Sequence, residues 1–157
     1  MKVNKEEISL SILLADDDID DCIFFKGALE KSSVSTVLVA VNDGMQLMRL
    51  LIDETNVLPD VLFVDLNMPR KNGFECLSEL KLSEKLKHLP VIMYSTSNDQ
   101  DVVDRLYLNG AQYFIRKPSD ISQFEKIIHH TLTLVGQKNQ PQPARENFVL
   151  EIHPVIV

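Results

Sequence analysis

The sequence predicts an α/β fold in which helices cover both faces of a doubly wound parallel sheet of five strands. Two observations predict it, namely five short apolar runs and the longer amphipathic stretches that separate them. Short runs of apolar residues, mostly β-branched or aromatic, are typical of strands buried on both faces. Regular alternation of such strands with helices implies right-handed crossovers and therefore parallel pairing.

Each element has its own signal along the chain. The predicted strands are 12–15, 37–41, 61–64, 91–94 and 113–115. The first helix is predicted from Asp18 to about Lys31 by its length, whereas the other four carry apolar stripes at spacings of three and four. Those stripes are Leu47-Leu50-Leu51, Phe74-Leu77-Leu80, Val102-Val103-Leu106 and Ile121-Phe124-Ile128-Thr131. Asp43 is a predicted N-cap of the second helix, and Gly110 a predicted stop for the fourth.

One domain with short extensions accounts for the 157 residues. We expect an N-terminal extension at 1–8, a domain at 9–135, and a C-terminal linker with an apolar tail at 136–157. The tail should be ordered, because 148–157 carries seven apolar side chains in ten. It could dock on a sheet edge or beside the fifth helix, but we favour packing on a neighbouring subunit.

Composition excludes several classes of protein. With 16 basic and 23 acidic residues the net charge is −7, which argues against direct binding to nucleic acid or to an anionic membrane. No apolar run approaches the ~18 residues of a membrane helix, and the N-terminus lacks the apolar core of a signal peptide. Cys22 and Cys76 lie far apart in the sequence and form no CxxC motif. We therefore expect free thiols in a reducing cytoplasm.

Polar side chains follow four of the five predicted strands. The first strand is followed by Asp16 and Asp17, the third by Asp65, the fourth by Ser95 and the fifth by Lys117. In a doubly wound sheet ordered 2-1-3-4-5, strands one and three flank the point where strand order reverses, and ligands bind there. We therefore expect these carboxylates, the hydroxyl and the ammonium to converge.

The chemistry follows from the residue types. Crowded carboxylates repel one another, and a hard divalent cation such as Mg²⁺ relieves that repulsion. Asp65 beside a cation and Lys117 could act as a nucleophile toward a phosphoryl group, with Ser95 donating to one of its oxygens. Each residue alone has an ordinary alternative, since acidic runs are commonly solvated surface. Four strands ending in complementary groups favour a site.

Four segments carry a resemblance to a known family. They are Ile12-Leu13-Leu14-Ala15-Asp16-Asp17, Val61-Leu62-Phe63-Val64-Asp65-Leu66-Asn67-Met68-Pro69 with Gly73, Pro90-Val91-Ile92-Met93-Tyr94-Ser95-Thr96, and Gly110-Ala111 through Phe114-Ile115-Arg116-Lys117-Pro118. In this order and spacing they resemble the receiver domain of two-component response regulators over roughly residues 9–135. The region before strand four is most similar to the stand-alone receivers found beside bacterial phytochromes. The resemblance implies a flavodoxin-like receiver fold.

The resemblance also implies residue roles. Asp65 would accept the phosphoryl group, and Mg²⁺ would be held by Asp16, Asp17, Asp65 and the backbone carbonyl of Asn67. Ser95 and Lys117 would bind the phosphoryl oxygens. The switch pair would be Ser95 and Phe114, which stand where the family more often has Thr and Tyr. The Lys117–Pro118 bond would be cis. Asp18 with the pair Asp20-Asp21 makes the mouth of this site unusually acidic.

The resemblance further implies a single-domain response regulator in a phosphorelay, a switch and not an enzyme with a free substrate. Its partners would be a sensor histidine kinase or a histidine phosphotransfer protein. A homodimer through the helix 4/strand 5/helix 5 face or through the C-terminal tail is a further predicted assembly.

Two rival functions have weaker support. A phosphatase of the haloacid-dehalogenase kind needs an acid two residues after its nucleophile, and Asn67 stands there. An FMN-binding module needs a phosphate loop rich in Ser, Thr or Gly after strand one, where this chain has three aspartates.

Overall fold

The computed structural model describes residues 9–97, 99–136 and 140–152. Strands and helices alternate as the sequence predicts, and a short 3₁₀ helix and a sixth strand follow. The elements are β1 Leu10–Ala15, α1 Ile19–Glu30, β2 Thr36–Val41, α2 Gly44–Ile52, β3 Val61–Asp65, α3 Gly73–Leu82, β4 Val91–Ser95, α4 Gln100–Leu108, β5 Tyr113–Arg116, α5 Ile121–Val135, the 3₁₀ helix Arg145–Asn147 and β6 Val149–Leu150. The N-terminal extension at 1–8 and the last five residues of the tail lie outside the described residues.

The sheet has the order β2-β1-β3-β4-β5-β6, and every neighbouring pair is parallel. The predicted fold class and the order of the first five strands are therefore confirmed, and one short strand is added at the β5 edge. The chain reverses its direction of winding between β1 and β3, which lie side by side with Leu14 opposite Phe63. This reversal creates the crevice in which such sheets bind ligands.

Every α-helix begins with a side-chain cap. Asp18, Asp43, Asn72, Asp99 and Asp120 each accept a hydrogen bond from a backbone N–H of the first turn. Such caps satisfy N–H groups that have no partner within the helix and typically stabilise it by ~1 kcal/mol. The predicted cap of α2 is thus confirmed, and four of these five caps are aspartates.

The fourth helix ends where the sequence predicts. Gly110 follows its C-terminus with φ of +92°, a left-handed conformation that costs glycine little. The turn leads directly into β5, which carries Lys117 just beyond its carboxyl end.

The sheet separates two hydrophobic cores. Helices α2, α3 and α4 pack on one face through residues such as Leu47, Leu77 and Leu106. Helices α1 and α5 pack on the other face, where Phe25 makes an edge-on contact with Phe63 at 4.9 Å between ring centroids. With both faces covered, the strand edges and the carboxyl ends of the strands remain for polar function.

The described part of the C-terminal segment packs on its own chain. β6 pairs with β5, so that Val149 lies opposite Phe114 and Leu150 opposite Ile115. Phe148 is fully buried and contacts the ring of Tyr107 at 5.0 Å. Over its described residues 148–152 the tail is therefore ordered as expected, but it occupies a sheet edge of its own chain and not the favoured position on a neighbouring subunit. The reason is local, since β5 offers both unpaired backbone groups and a pocket for an aromatic ring.

Polar contacts hold the segment before β6. The Gln142 side chain donates to the backbone carbonyls of Tyr107 and Ala111, and the Tyr107 hydroxyl donates to Pro143 O at 2.8 Å. Arg145 pairs with Asp104 on α4 at 2.7 Å. We name residues 140–152 the C-terminal strap. It runs from the end of α4 along the β5 edge.

Candidate functional site

Four of the predicted site residues converge at the carboxyl edge of the sheet. Asp65 ends β3, Ser95 ends β4, and Asp16 and Lys117 follow β1 and β5 directly. Asp16 is fully buried, Ser95 is almost so, and Asp65 keeps 6% of its surface exposed. The convergence predicted from the strand ends is what the sheet order produces.

A close backbone approach holds the β3–α3 loop against Asp65. A Cβ atom added at Gly73 would lie 2.4 Å from the Asp65 carbonyl oxygen and 2.9 Å from Leu66 Cα. The Gly73 N–H instead donates to Leu66 O at 2.9 Å. Since backbone cannot move aside as a flexible side chain can, any larger residue would displace the strand end that carries Asp65.

Lys117 is the centre of the site. Its Nζ lies 2.7 Å from Asp21 Oδ2, 3.1 Å from Asp65 Oδ2 and 3.4 Å from Asp16 Oδ2. An ammonium group has three N–H donors, so the three carboxylates match its capacity. One positive charge thus holds together three negative ones in a mostly buried space.

Asp21 is a partner of Lys117 that the sequence motifs did not predict. It lies in the first turn of α1, where the Asp18 side chain caps its backbone N–H at 3.2 Å. The sequence placed Asp21 only in the acidic mouth of the site, because its contact with Lys117 spans 96 residues. Its place on the first turn of a helix that follows β1 directly was the available signal.

Asp17 and Asn67, two further predicted site residues, lie at the surface beside this cluster of carboxylates. Both are exposed, and the carboxylate group with oxygens within 4.8 Å of one another consists of Asp16, Asp21 and Asp65. The Asn67 backbone N–H donates to Asp65 Oδ1 at 3.1 Å, so this residue orients the Asp65 carboxylate.

Burial is the main influence on the protonation of Asp65. Burial first, and the neighbouring Asp16 to a smaller extent, raise the pKa of Asp65 to about 7, although the charge of Lys117 and the Asn67 N–H lower it. Burial lowers the pKa of Lys117, but its hydrogen bond to Asp21 and the charges of Asp65 and Asp16 outweigh burial, so the net shift is upward. The ammonium therefore stays charged at neutral pH, whereas the metal-free Asp65 titrates there.

Tyr94 forms the buried floor of the site, which sequence reasoning assigned only to a strand. Its hydroxyl donates to Asp16 Oδ2, and its ring centroid lies 4.2 Å from Lys117 Nζ. Burial first, and then the charge of Asp16, raise the pKa of Tyr94 well above its ordinary value. The phenol is thus a permanent hydrogen-bond donor.

The predicted switch residues, Ser95 and Phe114, lie on neighbouring strands two register positions apart, since Ser95 lies opposite Arg116 and Phe114 opposite Met93. The Ser95 hydroxyl accepts from the Ser97 N–H at 3.1 Å. Phe114 is fully buried, and its N–H donates to the carbonyl of Phe148 in the strap at 3.0 Å. Its ring therefore already lies inside the core.

The expectation of a cis bond before Pro118 is wrong. No cis peptide bond occurs in 9–97, 99–136 or 140–152, so Lys117–Pro118 is trans. The trans form is the lower-energy isomer of an isolated X–Pro bond by ≈ 0.5–1 kcal/mol. Lys117 reaches its three carboxylates from this trans geometry.

The donor set fits a hard divalent cation. Asp16, Asp21 and Asp65 each offer a carboxylate oxygen within 4.8 Å of the others, and carboxylate oxygens are the ligands that Mg²⁺ and Mn²⁺ take in proteins. Two of these carboxylates are fixed by backbone hydrogen bonds, which Asp16 Oδ1 and Asp65 Oδ1 accept. The site is therefore preorganised for positive charge, such as that of Lys117.

Comparison with known proteins agrees with this geometry. The family model for the response regulator receiver domain matches residues 12–129. Response regulator Rcp1 of Synechocystis is 29% identical over 121 residues, covering 74% of this chain and 82% of that protein. Two-component response regulator ORR5 of Oryza sativa is 33% identical over 115 residues, covering 71% and 83% respectively.

Solved structures give the same result. The Mn²⁺-bound form of response regulator Rcp1 superposes with a TM-score of 0.76 at 27% identity, covering 86% of this chain and 99% of that one. The phosphorylated cyanobacterial phytochrome response regulator RcpA superposes with a TM-score of 0.77 at 31% identity, covering 87% and 99%. Among the described helices, none combines the length and apolar character needed to cross a membrane.

Proposed function

This chain belongs to the response regulator receiver family, and from that premise we propose that it is a response regulator whose Asp65 accepts a phosphoryl group in a histidine-kinase phosphorelay. The observation that carries the proposal is the Lys117 ammonium, which lies 3.1 Å from Asp65 Oδ2 while the two side chains keep only 11% and 8% of their surface exposed. A cation placed beside a carboxylate nucleophile can also neutralise an incoming phosphoryl group.

The chemistry assigned to Asp65 is an in-line transfer. A carboxylate oxygen forms a bond to phosphorus while the bond from phosphorus to the donor's histidine nitrogen breaks, and the imidazole leaves with the electron pair. Lys117 would bind a phosphoryl oxygen in place of Asp65 Oδ2, retaining Asp21 as its shortest contact. Ser95 would turn its hydroxyl from the Ser97 N–H toward another phosphoryl oxygen.

Mg²⁺ is the proposed cofactor. Asp16, Asp17, Asp65 and the backbone carbonyl of Asn67 would hold it. When bound, it supplies charge neutralisation of the phosphoryl oxygens. Asp16 and Asp65 are supported by their place in the cluster of carboxylates. Asp17 is supported by its exposure at the mouth, where a hydrated cation enters.

The output is proposed to be a change of protein contacts. Movement of Ser95 toward the phosphoryl group would change the packing of Phe114, which shares a core with Phe148 of the strap. The partners would be a sensor histidine kinase or histidine phosphotransfer protein, with a homodimer through the α4/β5/α5 face or the tail. A partner at that face would meet the strap. Free Cys22 and Cys76 fit a cytoplasmic location.

The role assigned here is that of a switch and not of an enzyme with a free substrate. The cluster would assist phosphorylation and hydrolysis at its own Asp65, and Asn67 cannot act as the general acid of a haloacid-dehalogenase phosphatase. The acidic surface, with a net charge of −7, favours proteins over nucleic acid or anionic membranes as partners.

Intact-mass analysis after treatment with acetyl phosphate tests the proposal. Wild-type protein should gain one phosphoryl group with Mg²⁺ and little or none in EDTA, and Asp65→Asn should gain none. Asp60→Asn is the matched control, because Asp60 is an exposed carboxylate just before β3, and it should behave like wild type. Equal phosphorylation of Asp65→Asn and wild type would overturn the assignment.

A further inference from the structure

We propose that Tyr94 is a positioning residue of the acceptor site, whose hydroxyl fixes Asp16 for cation binding while its ring seats Lys117. The inference rests on the proposed function of that site and adds to it a residue to which the resemblance assigns no role. Tyr94 would touch neither the cation nor the phosphoryl group, and would act through the two charged residues that do.

Tyr94 reaches the site from the core that lies between the sheet and helices α1 and α5. It lies on β4 opposite Asp65 of β3 and Ile115 of β5. Its side chain is 98% buried, being only 2% exposed, and belongs to the core that α1 and α5 form. The Tyr94 ring lies in this apolar core, and its phenol oxygen reaches the Asp16 carboxylate.

The hydrogen bonds that Asp16 accepts show what the Tyr94 hydroxyl does. Oδ1 accepts the Asp18 N–H at 2.9 Å, and Oδ2 accepts both the Tyr94 hydroxyl and Lys117. A carboxylate oxygen accepts about two hydrogen bonds, so Oδ2 is filled and Oδ1 keeps one acceptor direction. The carboxylate cannot rotate without losing a partner, and it presents one defined direction to a cation or a cation-bound water.

The ring acts on Lys117 in a separate way. Its centroid lies 4.2 Å from Nζ, the distance at which an ammonium is attracted to an aromatic face. The ring therefore lies against the ammonium, whose three carboxylate partners Asp16, Asp21 and Asp65 lie within 3.4 Å. A smaller apolar residue would leave space there and release the ammonium.

The plain alternative is that Tyr94 is a core residue whose hydroxyl merely needed an acceptor. Phenylalanine would fill the same apolar space without needing one, as Phe25 and Phe63 do in that core. The two accounts differ in one consequence: a structural role changes stability alone, whereas a positioning role changes cation affinity. Outer hydrogen bonds to metal-binding carboxylates typically contribute 10–100-fold to metal affinity.

Calorimetric titration of the full chain with Mg²⁺ distinguishes them. Tyr94→Phe removes the hydroxyl and keeps the ring, and its dissociation constant should be about tenfold weaker than that of wild type. Tyr113→Phe is the matched control, because it removes a hydroxyl at the opposite end of β5, and its affinity should equal that of wild type. Equal affinity of Tyr94→Phe and wild type overturns the inference.

Kinetics with acetyl phosphate separate the hydroxyl from the ring. Tyr94→Phe should need about tenfold more Mg²⁺ for half-maximal phosphorylation and reach a maximal rate near that of wild type. Tyr94→Leu should show the same shift and also a lower maximal rate, because Lys117 loses its aromatic contact. Identical Mg²⁺ dependence of Tyr94→Phe and wild type would contradict the proposal, whether or not Tyr94→Leu folds.

The failure of this inference is distinguishable from failure of the proposed function. Wild-type protein that neither binds Mg²⁺ nor accepts a phosphoryl group would overturn both. Wild-type protein that does both, with Tyr94→Phe unchanged in Mg²⁺ affinity, would overturn the positioning role alone.

Discussion

The carboxyl end of β5 and its open edge make contacts of different kinds. Beyond its carboxyl end, Lys117 joins three carboxylates that repel one another, two of which are almost fully buried. Along its open edge, β5 pairs with the strap, which contributes a fully buried aromatic ring at Phe148. The acceptor site gathers like charges that weaken the metal-free fold, whereas the strap adds complementary contacts that strengthen it.

The proposed function and the stability of the fold are therefore separated along one strand. Residues of the acceptor site should be replaceable without unfolding the protein, although phosphorylation is lost. Residues of the strap should be needed for stability, although Asp65 can still be phosphorylated while the fold persists. The predictions below test each half of the comparison, in order of decreasing effect on the free energy of unfolding.

Phe148→Ala should cause the largest loss of stability. Phe148 is fully buried, packs on Tyr107 at 5.0 Å and belongs to the core on the α4 face. Replacing a buried Phe by Ala costs about 3–5 kcal/mol. Urea denaturation followed by circular dichroism measures it. A loss below about 1 kcal/mol would mean that the strap is not part of the folded core.

The pH dependence of the free energy of unfolding of the metal-free protein should reveal the cost of burying a charged Asp65 carboxylate. Burial raises the pKa of this carboxyl from 3.8 to about 7 in the folded state, so the folded protein binds more protons than the unfolded chain between those values. Its stability should therefore fall as pH rises from about 4 to 7.

Asp65→Asn provides the control for that pH dependence. The stability gained by this substitution should be greater at pH 7.5 than at pH 5 by about 1–3 kcal/mol, since one pKa unit corresponds to ~1.4 kcal/mol. Urea denaturation in EDTA at both pH values gives the difference. A gain that does not depend on pH would contradict the raised pKa of Asp65.

The Arg145–Asp104 ion pair should contribute little. The pair joins the strap to α4 at 2.7 Å, but 35% and 55% of the two side chains are exposed, and exposed pairs typically contribute ~0–1 kcal/mol. Arg145→Gln should lower stability by less than about 1 kcal/mol in urea denaturation at low salt. A larger loss would mean that this ion pair and not Phe148 anchors the strap.

Asp17→Ala should have the smallest effect on stability and a complete effect on phosphorylation. Asp17 is exposed, and substitutions at such positions usually change stability by less than about 0.5 kcal/mol. Metal-dependent labelling by acetyl phosphate should nevertheless disappear, because a proposed Mg²⁺ ligand is lost. A loss of several kcal/mol in the metal-free protein would assign Asp17 a structural role.

The sequence was sufficient to predict the elements whose signal is local. Apolar runs and stripes located the strands and helices, and the polar residues that end the strands located Asp16, Asp65, Ser95 and Lys117 together. This succeeded because parallel strands necessarily bring their carboxyl ends to one edge. Once the strand order was chosen, no further information was needed to place these side chains.

Contacts between distant segments could not be predicted in the same way. Asp21 and Tyr94 have ordinary local surroundings, a helix first turn and a buried strand, and acquire their roles only through Lys117 and Asp16. The place of the strap depended on the free edge of β5 and on a pocket beside Tyr107. Periodicity gave the tail its strand character, but it could not select among the surfaces that were available.

Chemical mapping of the phosphorylated residue shows whether Asp65 is the acceptor. Three carboxylates surround Lys117, and of these Asp21 is more exposed than Asp65, so the cluster itself offers a competing acceptor. Protein treated with acetyl phosphate and Mg²⁺ is reduced with borohydride, which converts an aspartyl phosphate to homoserine, and its peptides are sequenced by mass spectrometry. The account predicts homoserine at position 65 in wild type, with none at positions 16, 17 or 21. Homoserine at position 21, or at none of these positions, would contradict it.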